Sequence, residues 1–199
     1  RARRGPEPYA EIVAEARERG ADLIVIRRRG QRGLLANLLV GEMVRNVVVH
    51  APCSVLVAPR VATMWSHRVL VAVDPLAGDL SPVAAAAAIA AECALPLSIV
   101  CVSDPGANAI QRAEAALQRA GSAAHAHAVP IDTALRIGRP HEQILAAAQQ
   151  AGADLVVIGR RGDEKLARAW LGGVAQKVIG MADRPVLVAV HAAEGARHE

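Results

Sequence analysis

The 199-residue chain is 53% hydrophobic, enough to bury a large core, yet charges break every apolar run before the ~18–20 residues that a spanning helix needs. Its net charge of +4 and pI near 9.5 come almost wholly from arginine, Lys165 and Lys177 being the only lysines. With no Phe, and Tyr9, Trp65 and Trp170 as the only aromatics, no base-stacking platform can be assembled, which argues against a nucleic-acid partner.

The chain opens Arg1-Ala2-Arg3-Arg4, without Met or a hydrophobic signal segment, and so reads as a cut end. Tyr9 to Arg19 has apolar residues at helical spacing, and Gly20-Ala-Asp-Leu-Ile-Val-Ile26 follows as a strand. An Arg-Gly-rich loop, a second helix and the β-branched run Ser54–Ala58 complete this first part. Cys53, Cys93 and Cys101 form no CxxC pair and sit in apolar stretches, as small core residues of a reducing cytoplasm do. The expected compartment is therefore cytoplasmic.

Residues 59–66, with Pro59, read as a linker. Arg68 to Val73 is an apolar strand ending at Asp74. Leu80 to Ala94 is an Ala-rich helix with Ser81 as cap and Pro82 at its first position. Leu97 to Val102 is a second strand. Asn108 to Ala120 is a helix stopped by Gly121, and Ala123 to Val129 a third strand. His141 to Ala151 is again helical and leads into Gly152-Ala-Asp-Leu-Val-Val-Ile158, which repeats residues 20–26 at a distance of 132 residues. A glycine-rich loop, a last helix and Pro185-Val-Leu-Val-Ala189 close the pattern, with residues 192–199 as a tail.

A period of that length is a duplicated domain and not a solenoid repeat. Residues 67–191 alternate β and α through five strands, each apolar on both faces, which predicts a parallel sheet covered on both sides. Residues 1–58 hold only the last α-β-α-β portion of a copy.

In parallel sheets, ligands sit at the carboxyl ends of the strands, near the point where strand order reverses. That rule selects Asp74, Val102 to Asp104 and the loop from Gly159, and Ala72 and Val73, which lead into Asp74, are binding candidates with it. The loop reads Gly159-Arg160-Arg161-Gly162, nine residues, then Gly172-Gly173-Val174 at the start of a helix. Bare glycine N–H groups at the positive end of a helix dipole suit a phosphate, and Arg160 and Arg161 add positive charge beside them.

G-x2-G-x9-G followed by a small residue, after a strand and before a final helix and strand, resembles the universal stress protein signature. Gly138-Arg-Pro-His-Glu-Gln-Ile144 and Arg68 to Asp74 support the likeness, which covers residues 67–191 and, in half, residues 6–58. The resemblance implies a Rossmann-like five-stranded parallel sheet and, in one branch of the family, bound ATP. ADP or AMP would fit the same site, and the only metal would be Mg carried by the nucleotide. Carried over by position, Asp74 would meet ribose and adenine and Val102 the adenine. Gly159 and Gly162 would lie along ribose and phosphates, and Gly172, Gly173 and Val174 would give backbone donors to the phosphates. The family's nucleotide binders usually have Ser or Thr where this chain has Gly173, a loss of ~1 kcal/mol if the hydroxyl bonds phosphate. In the first copy Arg27 replaces the first glycine, ten residues separate Gly30 from Gly41, and Glu42 fills the Ser/Thr position, so that copy should bind no nucleotide.

Simpler readings stand beside these. Asp74 could only close a turn into the next helix. His125 and His127, two apart on a strand, could chelate, but no Cys, Asp or Glu completes a set, and solvent-facing residues fit better. His141 and Glu142 could form an acid–base pair or simply begin a helix. No nucleophile triad, G-x-S-x-G elbow or Walker loop is present.

The expected molecule is a non-enzymatic, adenine-nucleotide-binding regulator of the stress response. The alternative is a silent scaffold working through pairing of its copies. The resemblance implies that Ser54–Ala58 and Pro185–Val190 pair antiparallel about a two-fold axis, which leaves residues 22–26 as an open edge.

Overall fold

A computed structural model describes residues 7–28, 40–160 and 171–190. The helices are α1 (Pro8–Glu18), α2 (Glu42–His50), α3 (Ser81–Glu92), α4 (Ala107–His125), α5 (Pro140–Gln150) and α6 (Gly173–Met181). The strands are β1 (Leu23–Arg27), β2 (Ser54–Ala58), β3 (Val69–Val73), β4 (Leu97–Ser103), β5 (Ile131–Ile137), β6 (Leu155–Gly159) and β7 (Val186–Ala189).

The described strands form one sheet in the order β1-β2-β7-β6-β3-β4-β5. The five strands from β3 to β7 are parallel. β1 is parallel to β2, and β2 meets β7 antiparallel with Val55, Leu56 and Val57 opposite Val188, Leu187 and Val186. That pair is the axis of an internal two-fold. It gives each copy's last strand a partner in place of a bare edge, whose free N–H and C=O groups invite association.

Helices cover the sheet on two faces because successive strand residues point to opposite sides. Leu70, Val156 and Val188 face one way and pack with Val47, Ile144 and Val178, from α2, α5 and α6. Val69, Val71, Leu155 and Val157 face the other way and meet Ala86, Ala87, Ala90, Ala113 and Ala120, from α3 and α4. The alanines let these two helices lie close to the sheet. Among the described residues β1 has one covered face: Ile24 and Ile26 are buried while Val25 is 62% exposed.

Three sequence expectations change. The helix after β4 does not stop at Gly121 but runs to His125, and residues 123–129 form no strand. A glycine inside an Ala-rich helix costs only ~1 kcal/mol, and the buried stripe Ala113, Ala116, Leu117, Ala120, Ala124 continues past it. Ala128, at a φ of 53°, ends the turn, and the third strand of the copy is Ile131–Ile137. Ser81 is also not the cap of α3. Leu80 holds that position, and Asp79 accepts both the Ser81 N–H and the Ser81 hydroxyl at 2.8 Å.

Candidate functional site

β3 is flanked by β4 and β6, so chain connections leave it in opposite directions and the sheet reverses there. At the carboxyl ends of β3, β4 and β6 lies a cavity of about 390 Å³, within the ~300–1,000 Å³ usual for small-molecule sites. Ala72, Val73, Asp74, Val102, Gly159, Arg160, Gly172, Gly173 and Val174 all line it. Arg161 and Gly162 lie outside the described residues.

Each wall has a local cause. β3 ends at Val73, and Asp74 turns the chain: its Oδ1 accepts the Leu76 N–H at 2.8 Å, and its carbonyl accepts the Ala77 N–H at 3.3 Å. Asp74 therefore closes a turn, as the simpler reading expects, and also lines the cavity. Val102 is buried near the end of β4, and Ser103 after it donates its hydroxyl to the Asp104 carbonyl at 2.8 Å. Gly172 caps α6, accepting the Gln176 N–H at 3.0 Å, while its own N–H donates to the Arg160 carbonyl at 3.3 Å. At Gly173, apart from its chain neighbours and its own helix backbone, no atom of the described residues lies within 4 Å of where a β-carbon would stand. The start of α6 is thus an uncrowded row of backbone donors at the positive end of the helix dipole.

The structure adds residues that motif spacing did not single out. Leu76 and Asp79 enter from the β3–α3 connection, Pro82 from the first turn of α3, Arg112 from α4, and Pro140 and Ile144 from α5. Pro140 and Ile144 fall within the Gly138–Ile144 segment, so a signal for them existed. Arg112 sits on the polar side of an amphipathic helix, and nothing in its neighbours marks it.

Arg160 departs from expectation. Its Nη1 donates to the carbonyls of Val49 and Ala51, at 3.3 and 3.1 Å, at the end of α2 in the other copy. Part of the charge expected beside a phosphate thus serves the junction of the copies.

The other candidates separate. His125 ends α4 and His127 lies in the turn beyond, so they share no strand face. Among the described residues no three His, Cys, Asp or Glu side chains could hold a metal ion. His141 Nε2 is 3.9 Å from Glu142 Oε1, outside the cavity lining; burial and nearby Lys177 hold its imidazole below the usual range. In the first copy Gly41 caps α2 with φ and ψ of −55° and 145°, matching −56° and 143° at Gly172, and Glu42 stands where Gly173 does. No helix among the described residues is long and apolar enough to cross a membrane.

Comparison with known proteins follows this geometry. A universal stress protein of Methanocaldococcus jannaschii is 38% identical over 52 residues, 26% of this chain and 32% of the relative. The matched segment thus spans about a third of that relative's length. A crystal structure of a universal stress protein from Archaeoglobus fulgidus superposes with a TM-score of 0.70 at 22% identity, covering 92% of this chain and 64% of its own. A universal stress protein from Archaeoglobus fulgidus in complex with dAMP gives 0.53 at 25% identity, covering 64% of this chain and all of its own. The Universal stress protein family matches residues 1–59 and 66–190, and this chain belongs to that family.

Proposed function

We propose that the chain is a regulatory protein of the stress response that binds an adenine nucleotide, ATP, in the cavity of its second copy. The observation that carries this is the coincidence, in one cavity, of an apolar floor, the Asp74 carboxylate and the α6 start at Gly173, next to the Gly172 N–H that is committed to the Arg160 carbonyl. A base fits between apolar walls such as Val102 and Ile158. Phosphates suit free N–H groups at a helix start. Asp74 is an acceptor for ribose or the adenine edge. The dAMP-bound neighbour supports the nucleotide class. We assign no catalytic step and place the protein in the cytoplasm; any metal would be Mg carried by the nucleotide.

The test has two parts. Denatured, freshly purified protein should release ATP, ADP or AMP on chromatography, and added ATP should raise the melting temperature, as a ligand of the folded state must. Gly172→Asp places a carboxylate at the α6 cap, where Asp is favoured for the helix, so the fold survives while phosphate is repelled. An undiminished ATP shift in that variant would sink the assignment.

A second reading is favoured by Gly173 and by Arg160. With no hydroxyl at the α6 start and a guanidinium engaged elsewhere, the pocket could be silent and the protein a scaffold built on the β2–β7 pairing. Absence of any nucleotide effect at millimolar concentration would select it.

A further inference from the structure

Arg28 and Arg160 occupy the same place in the two copies, just after β1 and just after β6, and each reaches across the internal two-fold. Arg28 Nη1 and Nη2 donate to the carbonyls of Ile179 and Ala182, both at 3.0 Å, at the end of α6. Arg160 donates to Val49 and Ala51 at the end of α2. Ala51 and Ala182 are equivalent C-cap residues, so the contacts are reciprocal. The last carbonyls of a helix lack internal partners and carry the negative end of its dipole, which is why a guanidinium settles there. Burial lowers the pKa of Arg28, but an arginine stays charged.

This clasp begins at the candidate site. Arg160 lines the cavity, and its carbonyl takes the Gly172 N–H at the α6 start. α6 is thus tied to the pocket at one end and held by Arg28 of the first copy at the other. A ligand that fixes the α6 start and the Arg160 backbone fixes both arms at once.

We propose that the paired arginines are a coupling device, passing occupancy of the second copy's cavity to the first copy. The proposal rests on the nucleotide reading for its ligand, though the coupling can be tested without one. The regulated element is the α2–β2 end of the first copy, reached through Arg160, and the end of β1, reached through Arg28.

Hydrogen exchange read by peptide decides it. Saturating ATP should slow exchange about fivefold in residues 44–58 and in residues 20–28 of the parent chain, the lower end of usual coupling. Arg28→Met should erase the effect on residues 20–28 alone, and Arg160→Met the effect on residues 44–58 alone. Because coupling is reciprocal, Arg28→Met should also weaken ATP several-fold although Arg28 does not line the cavity. Slowing that persists unchanged in both variants, or an ATP thermal shift with no change in the first copy, overturns the coupling and leaves the nucleotide site intact. If the parent shows no ATP effect, the nucleotide reading fails, and Gly172→Asp becomes the perturbation. It should alter exchange in residues 44–58 when Arg160 is present and not in Arg160→Met; equal responses overturn the coupling. Should Arg28→Met fail to fold, Arg28→Lys keeps the charge, loses the forked second bond and is read in the same way.

Discussion

Gly173 is the residue at which the pocket can be strengthened. The open space around it accommodates a side chain, and φ and ψ at the neighbouring cap already suit any residue. Gly173→Ser should raise ATP affinity about fivefold, the worth of one hydrogen bond of ~1 kcal/mol, without loss of stability. Isothermal titration of both proteins checks this; an unchanged affinity would mean that no phosphate reaches the α6 start. Cys101 offers a reagent-based check of the core. Burial and then the Asp74 carboxylate push its thiol up to about 11, so it stays protonated and shielded, whereas Cys93 is exposed. Iodoacetamide at pH 8 should label Cys93 in the native protein and reach Cys101 only after unfolding.

Asp154 joins residue to element. Burial opposes its charge. N–H groups of Ser66, Arg68 and His67, at 2.6, 3.1 and 3.0 Å, outweigh that and hold its carboxyl below the usual range. A depressed native pKa gives stability that is complete at neutral pH and lost as pH falls from the ordinary carboxylate value, about 3.9, through the native one. Asp154→Asn should lower stability at pH 7 and flatten the acid limb of the stability curve. An unchanged acid limb would show that the linker's amides do not need the charge. At the β5–α5 connection Gly138 has a φ of 130°, a region L-residues avoid. Gly138→Ala should cost ~1–3 kcal/mol in urea unfolding; a change below ~0.5 kcal/mol would mean that the turn relaxes.

Element type was legible where patterning was strong. The apolar runs of β3, β4, β6 and β7, bounded by helices with clear apolar spacing, could be read directly. The ends of α4 and β5 could not, because alanine tolerates helix and loop alike and β5 lies at the sheet edge with exposed residues at Asp132, Thr133 and Ala134. An edge strand has no two-faced apolar run to read.

Across the whole molecule the two copies differ by what covers them. Leu155 and Val157 in β6 are fully buried, while the corresponding Leu23 and Val25 in β1 are 44% and 62% exposed. β6 has β3 beside it and α3 above it; β1, among the described residues, has β2 alone. The first copy should therefore exchange amide hydrogens faster than the second, and the chain should self-associate at high concentration through the β1 edge. Val25→Lys should suppress that association in sedimentation velocity with little change in melting temperature. Comparable protection in both copies of a monomer would contradict this account.

By itself the sequence determined the repeat, the α/β class and the glycine frame of the pocket. Each is a local matter of spacing: backbone freedom at Gly172–Gly173, apolar period along β3 and β6, and a helix start at Gly41 in one copy and Gly172 in the other. Tertiary structure decided what spacing cannot encode. It set which strand stands beside which, brought Arg112 and Ile144 to a cavity whose β3 wall, Ala72 and Val73, lies far earlier in the chain, and turned Arg160 toward α2. An arginine after a strand carries no record of its partner. The helix end that it satisfies is assembled only when β2 and β7 meet, and the guanidinium goes to the unpaired carbonyls which that meeting brings within reach.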